Sequence, residues 1–171
     1  MLINRGWFEA AARDPRHGAM TAFGFGAYVL LFGGASVLTA ESKSLWMLYT
    51  FPRRIEDILR GKVLLWAAIS SCYVLGIAGI LGVLAREDPA DLALLVGHTA
   101  MAVAGVVFYA FIAAGLGVMG ANPLAEEPNR RLRPEFLYLY MLLSALLGYG
   151  IYAPQIWPKL VLLTLCALLA F

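Results

Sequence analysis

Few side chains in this chain have the chemistry for acid–base, nucleophilic or metal-dependent catalysis. Across three long apolar stretches, residues 63–84, 92–120 and 136–153, His98 is the only readily ionisable side chain. A single histidine near the end of a membrane span is more often a hydrogen-bonded packing residue than a proton relay or a ligand, and we interpret His98 in that way. The stretches contain no paired carboxylates and no HExxH motif, which argues against proton coupling, proteolysis and redox chemistry. We therefore expect neither an enzyme nor a bound cofactor.

Two glycine motifs superficially suggest nucleotide binding. Gly115, Gly117 and Gly120 match the pattern GxGxxG, but they close a long apolar run, whereas a dinucleotide site needs a strand before the motif and a helix after it. The pair Gly61-Lys62 resembles the end of a Walker A loop, yet Val63 stands where that loop has a serine or threonine for magnesium. We therefore predict that this chain does not hydrolyse ATP by itself.

The composition indicates that the elements carrying these residues lie in a membrane. The sequence is 61% hydrophobic and 14% charged, with a mean hydropathy of +0.77, whereas soluble domains are about half apolar and about a quarter charged. A soluble core of 171 residues could not bury so much apolar surface. The net charge of +2 is too small to suggest a nucleic-acid partner. Cys72 and Cys166 lie inside apolar runs, where we expect small packing residues rather than a disulfide or a zinc site.

Five apolar runs divide the chain, and a membrane-spanning helix needs about 20 apolar residues. The runs cover residues 18–38, 63–84, 92–120, 136–153 and 160–171. The fifth stops with the sequence after about two-thirds of a span, so we expect a partial chain or one half of a larger unit. The predicted fold is all-α: one polytopic transmembrane helix bundle over residues 1–171, with four to five spans and a short cytoplasmic amphipathic helix.

Charges in the loops predict the orientation of the spans, because lysine and arginine are retained on the cytoplasmic side. Residues 39–62 contain five basic residues, the loop REDPAD one, residues 121–135 three, and the loop PQIWPK one. This alternation predicts that residues 39–62 and 121–135 lie in the cytoplasm. We expect the protein in the plasma (inner) membrane of the cell.

The first run is the exception to this alternation. Arg5, Arg13 and Arg16 precede it on the side predicted to be external. Either the first run does not fully span the membrane, or a partner segment upstream is missing. Its four glycines would permit a broken or re-entrant run if protein covered the backbone; they are Gly24, Gly26, Gly33 and Gly34.

Residues 41–62 form the most informative segment, which we call the coupling segment. Leu45, Trp46, Leu48 and Tyr49 are spaced as one apolar face of a short helix. Pro52 can open a second helix, and Gly61 is a natural terminator for it. Glu56 and Asp57 come early in this helix and Arg60 comes late, which complements the helix dipole. Ile55 and Ile58 belong to its apolar stripe. Such a bent amphipathic unit suits either the lipid headgroup layer or a groove on a soluble partner.

The coupling segment resembles the coupling-helix region of type-2 ABC exporter permeases. It has Glu41, then Ser-Leu-Trp-Met-Leu, then Pro52, then Ile-x-x-Ile-Leu-Arg-Gly-Lys. Residues 122–130, NPLAEEPNR, resemble the second cytoplasmic loop of that family, and residues 13–16, RDPR, are similar to a stretch that often precedes a span in it. The family places one more span than this chain between the RDPR-like stretch and the coupling helix.

The resemblance implies a non-catalytic membrane subunit whose partners are a soluble ATP-binding subunit, a second permease chain or half, and the lipid bilayer. It implies that Trp46, Leu45 and Leu48 enter a groove of the ATPase and that basic residues lie at its rim. The ATPase-coupling interface would consist of Glu41, Leu45, Trp46, Leu48, Tyr49, Pro52, Arg53, Arg54, Ile55, Ile58 and Arg60. A non-transporting scaffold or assembly subunit, or less readily a membrane-embedded enzyme, is the alternative.

Overall fold

The computed structural model describes residues 14–33, 55–84, 89–120 and 133–170. These ranges form five helices and contain no strand: α1 (Pro15–Gly33), α2 (Ile55–Leu84), α3 (Pro89–Gly120), α4 (Pro134–Tyr152) and α5 (Ile156–Ala170). The prediction of an all-helical fold is therefore confirmed for the described part of the chain.

Three of the described helices are long and apolar enough to cross a membrane. The segments that meet both conditions are Glu56–Val83, Ala93–Gly120 and Pro134–Tyr152. Helix α5 has 15 residues, which gives a length of about 22 Å, less than the roughly 30 Å of a hydrocarbon core. Helix α1 has 19 residues and is long enough, but its described part is not sufficiently apolar; the rest of the predicted run 18–38 lies outside the described residues.

Helix α1 packs against α2, α3 and α4, and α3 contacts all four of the other described helices. Small residues let its backbone approach its neighbours closely. A Cβ atom on Gly26 would lie 2.7 Å from Val74 Cγ2 of α2 and 3.0 Å from Val106 Cγ2 of α3. The buried residues of α1 are Gly18, Ala19, Thr21, Ala22, Phe23, Gly26, Ala27, Leu30 and Gly33.

Helix α1 is continuous through Gly24 and Gly26, so the break that its glycines would permit does not occur over residues 15–33. Asp14 caps its start: the Arg16 main-chain N–H donates to Asp14 Oδ1 at 2.9 Å, and Pro15 occupies the first helical position, where no N–H is needed. The close packing of Gly26 explains why glycine is present there without a kink.

Helix α2 also departs from the prediction. We expected a separate short helix ending at Gly61, but α2 runs without interruption from Ile55 to Leu84. A glycine such as Gly61 in a helix interior costs only about 1 kcal/mol relative to alanine. Glu56 and Asp57 stabilise the start of α2, because their negative charges lie at the positive end of the helix dipole. The helix therefore continues through Gly61.

Helices that follow one another in the chain are antiparallel, which gives the bundle two ends. We call one the Gly120 end, where the N–H of Arg133 donates to the Gly120 carbonyl oxygen at 3.0 Å. We call the other the Lys159 end, where α1, α3 and α5 begin and α4 ends. Arg16 therefore lies at the same end of the bundle as the last residues of α2 and residues 153–155.

Pairs of small residues four positions apart pack inside the bundle. Ala78 of α2 is buried, and Ala113 and Gly117 of α3 are both buried. These small residues therefore pack against neighbouring helices within the chain.

Candidate functional site

The predicted ATPase-coupling interface lies mostly outside the described residues. Glu41, Leu45, Trp46, Leu48, Tyr49, Pro52, Arg53 and Arg54 all belong to residues 34–54, which are not described. Of the remaining members, Ile55 begins α2, Ile58 is half-buried and Arg60 is exposed. The interface stays a prediction, and its last residues are part of a membrane-crossing helix.

The first turns of α2 extend beyond the length that a bilayer requires. Thirty residues give a helix of about 45 Å, whereas the hydrocarbon core is about 30 Å thick. The charged side chains of α2 fall in its first eight residues: Glu56, Asp57, Arg60 and Lys62. This charged extension, residues 55–62, is the last part of the coupling segment and the first part of α2.

At the opposite end, the structure brings together three basic side chains that are far apart in sequence. We call Arg16, His98 and Lys159 the basic cluster. Lys159 Nζ lies 2.8 Å from His98 Nε2, and His98 Nδ1 lies 2.8 Å from the Leu94 carbonyl oxygen. Because a carbonyl oxygen can only accept, Nδ1 carries the proton, and the free Nε2 lone pair accepts a hydrogen bond from the Lys159 ammonium.

Lys159 is more buried than a lysine usually is, with only 8% of its surface exposed. Burial holds the pKa of Lys159 below its usual value, and the positive charge of Arg16 lowers this pKa further. The sequence placed Lys159 in a loop before the fifth run, whereas the helix α5 begins at Ile156. The lysine is thus held against α3 instead of pointing into solvent.

Asp14 and His17 flank the basic cluster at the start of α1. His17 Nδ1 lies 2.9 Å from Asp14 Oδ2, and the His17 ring packs on Tyr152 with 4.6 Å between the ring centroids. Burial alone would raise the pKa of Asp14, but hydrogen bonds from the Arg16 N–H and from His17 outweigh it and lower the pKa. Both oxygens of the Asp14 carboxylate therefore bond to residues in the first turn of α1.

A crevice adjoins Lys159 between α3, α4 and α5. Its enclosed volume is only about 10 Å³, and it is partly open to the surroundings. Gly150 makes it narrow, because a Cβ there would lie 2.6 Å from Leu162 Cδ1. Its walls are otherwise apolar: Met101, Gly105, Leu147, Ile151, Leu162 and Leu163.

Two buried tyrosines connect the centre of the bundle. The Tyr140 hydroxyl donates to the Ala27 carbonyl oxygen at 2.5 Å, and the Tyr109 hydroxyl donates to the Tyr140 carbonyl oxygen. These bonds join α1, α3 and α4 and satisfy polar groups in apolar surroundings. Their role is structural, since both hydroxyls are bonded to main-chain oxygens of neighbouring helices.

The glycine motif of α3 lies within a helix. Gly115 and Gly117 are interior helical positions and Gly120 is the last residue of α3, so the phosphate-binding turn that a dinucleotide site requires is missing from this part of the chain. Within the described ranges, no three His, Cys, Asp or Glu side chains are grouped so as to hold a metal ion. The described cysteines, Cys72 and Cys166, are free.

Comparisons with family models, with curated proteins and with solved structures gave no match. Functional inference therefore rests on the residues and their geometry. Sequence reasoning missed the basic cluster, and the available signal was Lys159 itself, a lone basic residue between Pro158 and an apolar run.

Proposed function

We propose that this chain is a membrane-spanning subunit of an ATP-driven ABC exporter. It contributes four to five spans to the translocation path, and it receives energy from a separate ATPase subunit through the coupling segment. Its place is the plasma (inner) membrane, with residues 39–62 and 121–135 in the cytoplasm. A second permease chain or half completes the path.

The observation that carries this proposal is the continuity of α2 from Ile55 to Leu84. A coupling element must transmit movement from outside the bilayer to the spans. A helix with no break at Gly61 does this as a rigid body, whereas a flexible hinge at Gly61 would absorb the movement.

The packing of α2 supports the same conclusion. Helix α2 contacts both α1 and α3, and a Cβ on Gly33 of α1 would lie 2.1 Å from Trp66 Cε3 of α2. Closely packed interfaces transmit displacement because they have little free space to absorb it. Movement of the charged extension therefore shifts α2 and its neighbours together.

Two other functions are compatible with a helix bundle of this composition. A non-transporting scaffold needs only apolar packing and predicts no ATPase partner. A membrane-embedded enzyme needs buried acids, bases or metal ligands. Among the described residues, no three His, Cys, Asp or Glu side chains are grouped as metal ligands, and the basic cluster has no carboxylate as a member. The resemblance of the coupling segment to exporter permeases favours the transport subunit.

The test is copurification of ATPase activity from native membranes at fixed salt. Trp46→Ala removes a predicted apolar anchor, which at protein interfaces commonly costs about 2 kcal/mol or more, roughly thirtyfold in affinity. Trp157→Ala is the matched control, since Trp157 is 78% exposed at the Lys159 end. The copurifying ATPase should be lost in Trp46→Ala and kept in Trp157→Ala.

Charge reversal of Arg53 and Arg54 to glutamate should weaken recovery less, because charges at a rim are screened by solvent. If the wild-type chain brings no ATPase with it, or if Trp46→Ala recovers as much as the wild type, the coupling role is wrong. The scaffold function then becomes the better explanation.

A further inference from the structure

The hydrogen bond between Lys159 and His98 requires one protonation state of the histidine. Lys159 Nζ lies 2.8 Å from His98 Nε2, and His98 Nδ1 lies 2.8 Å from the Leu94 carbonyl oxygen. Nδ1 therefore carries the proton, and the ammonium donates to the unprotonated Nε2. A proton on Nε2 would replace this acceptor with a donor and give both side chains a positive charge. The two groups would then repel each other and separate.

The same bond joins α3 to the start of α5. Only residues 153–155 connect α4 to α5, and α4 packs closely on α5, because a Cβ atom on Gly150 would lie 2.6 Å from Leu162 Cδ1. Between α3 and α5, in contrast, a crevice that is partly open to the surroundings separates Met101 from Leu163. Loss of the bond therefore lets the first turns of α5 move away from α3 while they stay attached to α4.

The other ionisable groups at this end come from α1 and α4. Asp14 and His17 of α1 bond to each other at 2.9 Å, so a proton on His17 strengthens that contact instead of breaking it. Arg16 is charged at every pH of interest, and Tyr152 of α4 packs on His17 and is a phenol, which is neutral below about pH 9.

Helix α2 and the connection that follows it complete the surroundings of His98. The last turns of α2, residues 76–84, contain no ionisable side chain. Four charged side chains further along lie outside those that the structure describes: Arg86, Glu87, Asp88 and Asp91. Charges there would change the pH at which His98 takes up a proton, but a protonated Nε2 cannot accept from Lys159 whatever lies nearby.

We propose that His98 and Lys159 form a pH switch, in which protonation of His98 breaks its bond to Lys159 and releases the start of α5 from α3. Histidine is the side chain whose charge ordinarily changes between about pH 5 and pH 8. The proton comes from solvent, since His98 is only half-buried. With residues 121–135 in the cytoplasm, as proposed above, the Lys159 end responds to the pH outside the cell. The switch does not depend on the ATPase-coupling role, because it lies at the opposite end of the bundle.

The experiment measures the distance between α3 and α5 by electron paramagnetic resonance on the full chain in a neutral detergent. Spin labels are attached to Val96→Cys in α3 and Val161→Cys in α5, both exposed positions, after Cys72 and Cys166 have been replaced by alanine. One short distance should dominate at about pH 8. At about pH 5.5, where ordinary carboxylates keep their charge, the ratio of longer to shorter distances should rise about fivefold, the usual effect of losing one hydrogen bond.

Three variants separate the switch from a general effect of acid. His98→Gln keeps an amide oxygen as acceptor for Lys159 but cannot titrate, so the short distance should dominate at both pH values. Lys159→Met has no donor, so its distance ratio should be the same at both. His17→Gln removes the other histidine of the chain and should keep the full response. Nitrogen NMR of the one imidazole left in His17→Gln gives the midpoint of His98 protonation, which should match the midpoint of the distance change.

Three results would overturn the proposal. A wild-type response to acid in His98→Gln or in Lys159→Met would assign the movement to other groups. An unchanged distance across the pH range in which His98 takes up its proton would show that the bond does not hold α5 to α3. A His98 imidazole that stays neutral down to about pH 5.5 would show that no switch operates in the physiological range.

Discussion

Tyr140 of α4 donates its hydroxyl hydrogen to the main-chain oxygen of Ala27 in α1, over a distance of 2.5 Å. The two residues are distant in sequence and both are buried. The acceptor also belongs to the hydrogen-bonded backbone of α1, so the tyrosine adds a second bond to a carbonyl that is already satisfied. Tyr140 therefore fixes the register of α4 against α1.

Replacing Tyr140 with phenylalanine removes this bond and keeps the ring. Hydrogen bonds between membrane helices contribute about 0.6 kcal/mol on average, so we expect Tyr140→Phe to lower the free energy of unfolding by about that amount. Tyr138→Phe is the control, because Tyr138 is 70% exposed. Reversible unfolding in mixed detergent measures both. Equal stability of the two variants would contradict the structural role of the bond.

Two glycines of α1 should respond to alanine in opposite ways. Gly26→Ala places a methyl group 2.7 Å from Val74 Cγ2, and valine is stiff about its first side-chain bond, so we expect a loss of about 1–3 kcal/mol from overpacking. Gly24 has no atom within 4 Å of the same position. Gly24→Ala should therefore stabilise the helix by up to about 1 kcal/mol. Thermal unfolding of the two variants gives the comparison, and a loss of stability in both would show that the packing around α1 differs from that described.

Adjacent serines in α2 provide another matched pair. Ser70 is fully buried, and its hydroxyl has no hydrogen-bond partner among the described residues. An unsatisfied buried hydroxyl costs about 1–3 kcal/mol, so Ser70→Ala should raise the unfolding temperature. The Ser71 hydroxyl donates to the Ala67 carbonyl oxygen at 2.7 Å, and Ser71→Ala should give no such increase. A decrease for Ser70→Ala would mean that its hydroxyl is satisfied after all.

At alkaline pH, the free energy of unfolding should change with pH because Lys159 loses its proton. Its pKa in the folded chain is lowered from the model-compound value of 10.5, so the unfolded chain binds more protons between the two pKa values. Stability then rises with pH across that window, up to about 10.5. In a neutral detergent without anionic lipid, the difference in unfolding temperature between Lys159→Met and the wild type should shrink as pH increases. A difference independent of pH would show that Lys159 is not destabilised by its surroundings.

Three of the predicted spans correspond to helices that are long and apolar enough to cross a membrane, because the signal for them is local. The run 92–120 corresponds to α3 at Pro89–Gly120, and the run 136–153 to α4 at Pro134–Tyr152. Apolar length alone determines such segments. The end of the coupling segment was not predicted correctly, because Gly61 carries only a small helix penalty that continuation of α2 overcomes.

The basic cluster could not be predicted from pattern. His98 was expected to be a hydrogen-bonded packing residue, and its bond to the Leu94 carbonyl oxygen agrees with that interpretation. Its bond to Lys159 joins residues 61 positions apart, and that proximity depends on how α3 and α5 pack. The apolar periodicity of α3 and of α5 does not indicate which face of one helix packs against the other.

The connection between α4 and α5 has a consequence for how the chain enters the bilayer during synthesis. Only residues 153–155 separate the two helices, and Lys159 follows within the first turn of α5. Carrying a lysine through the hydrocarbon centre is unfavourable by about 2.5–3.5 kcal/mol on insertion scales. The short connection avoids that passage, because it holds Lys159 at the interface where α4 emerges. We therefore expect α4 to determine where the start of α5 is placed, and the two helices to enter the bilayer together.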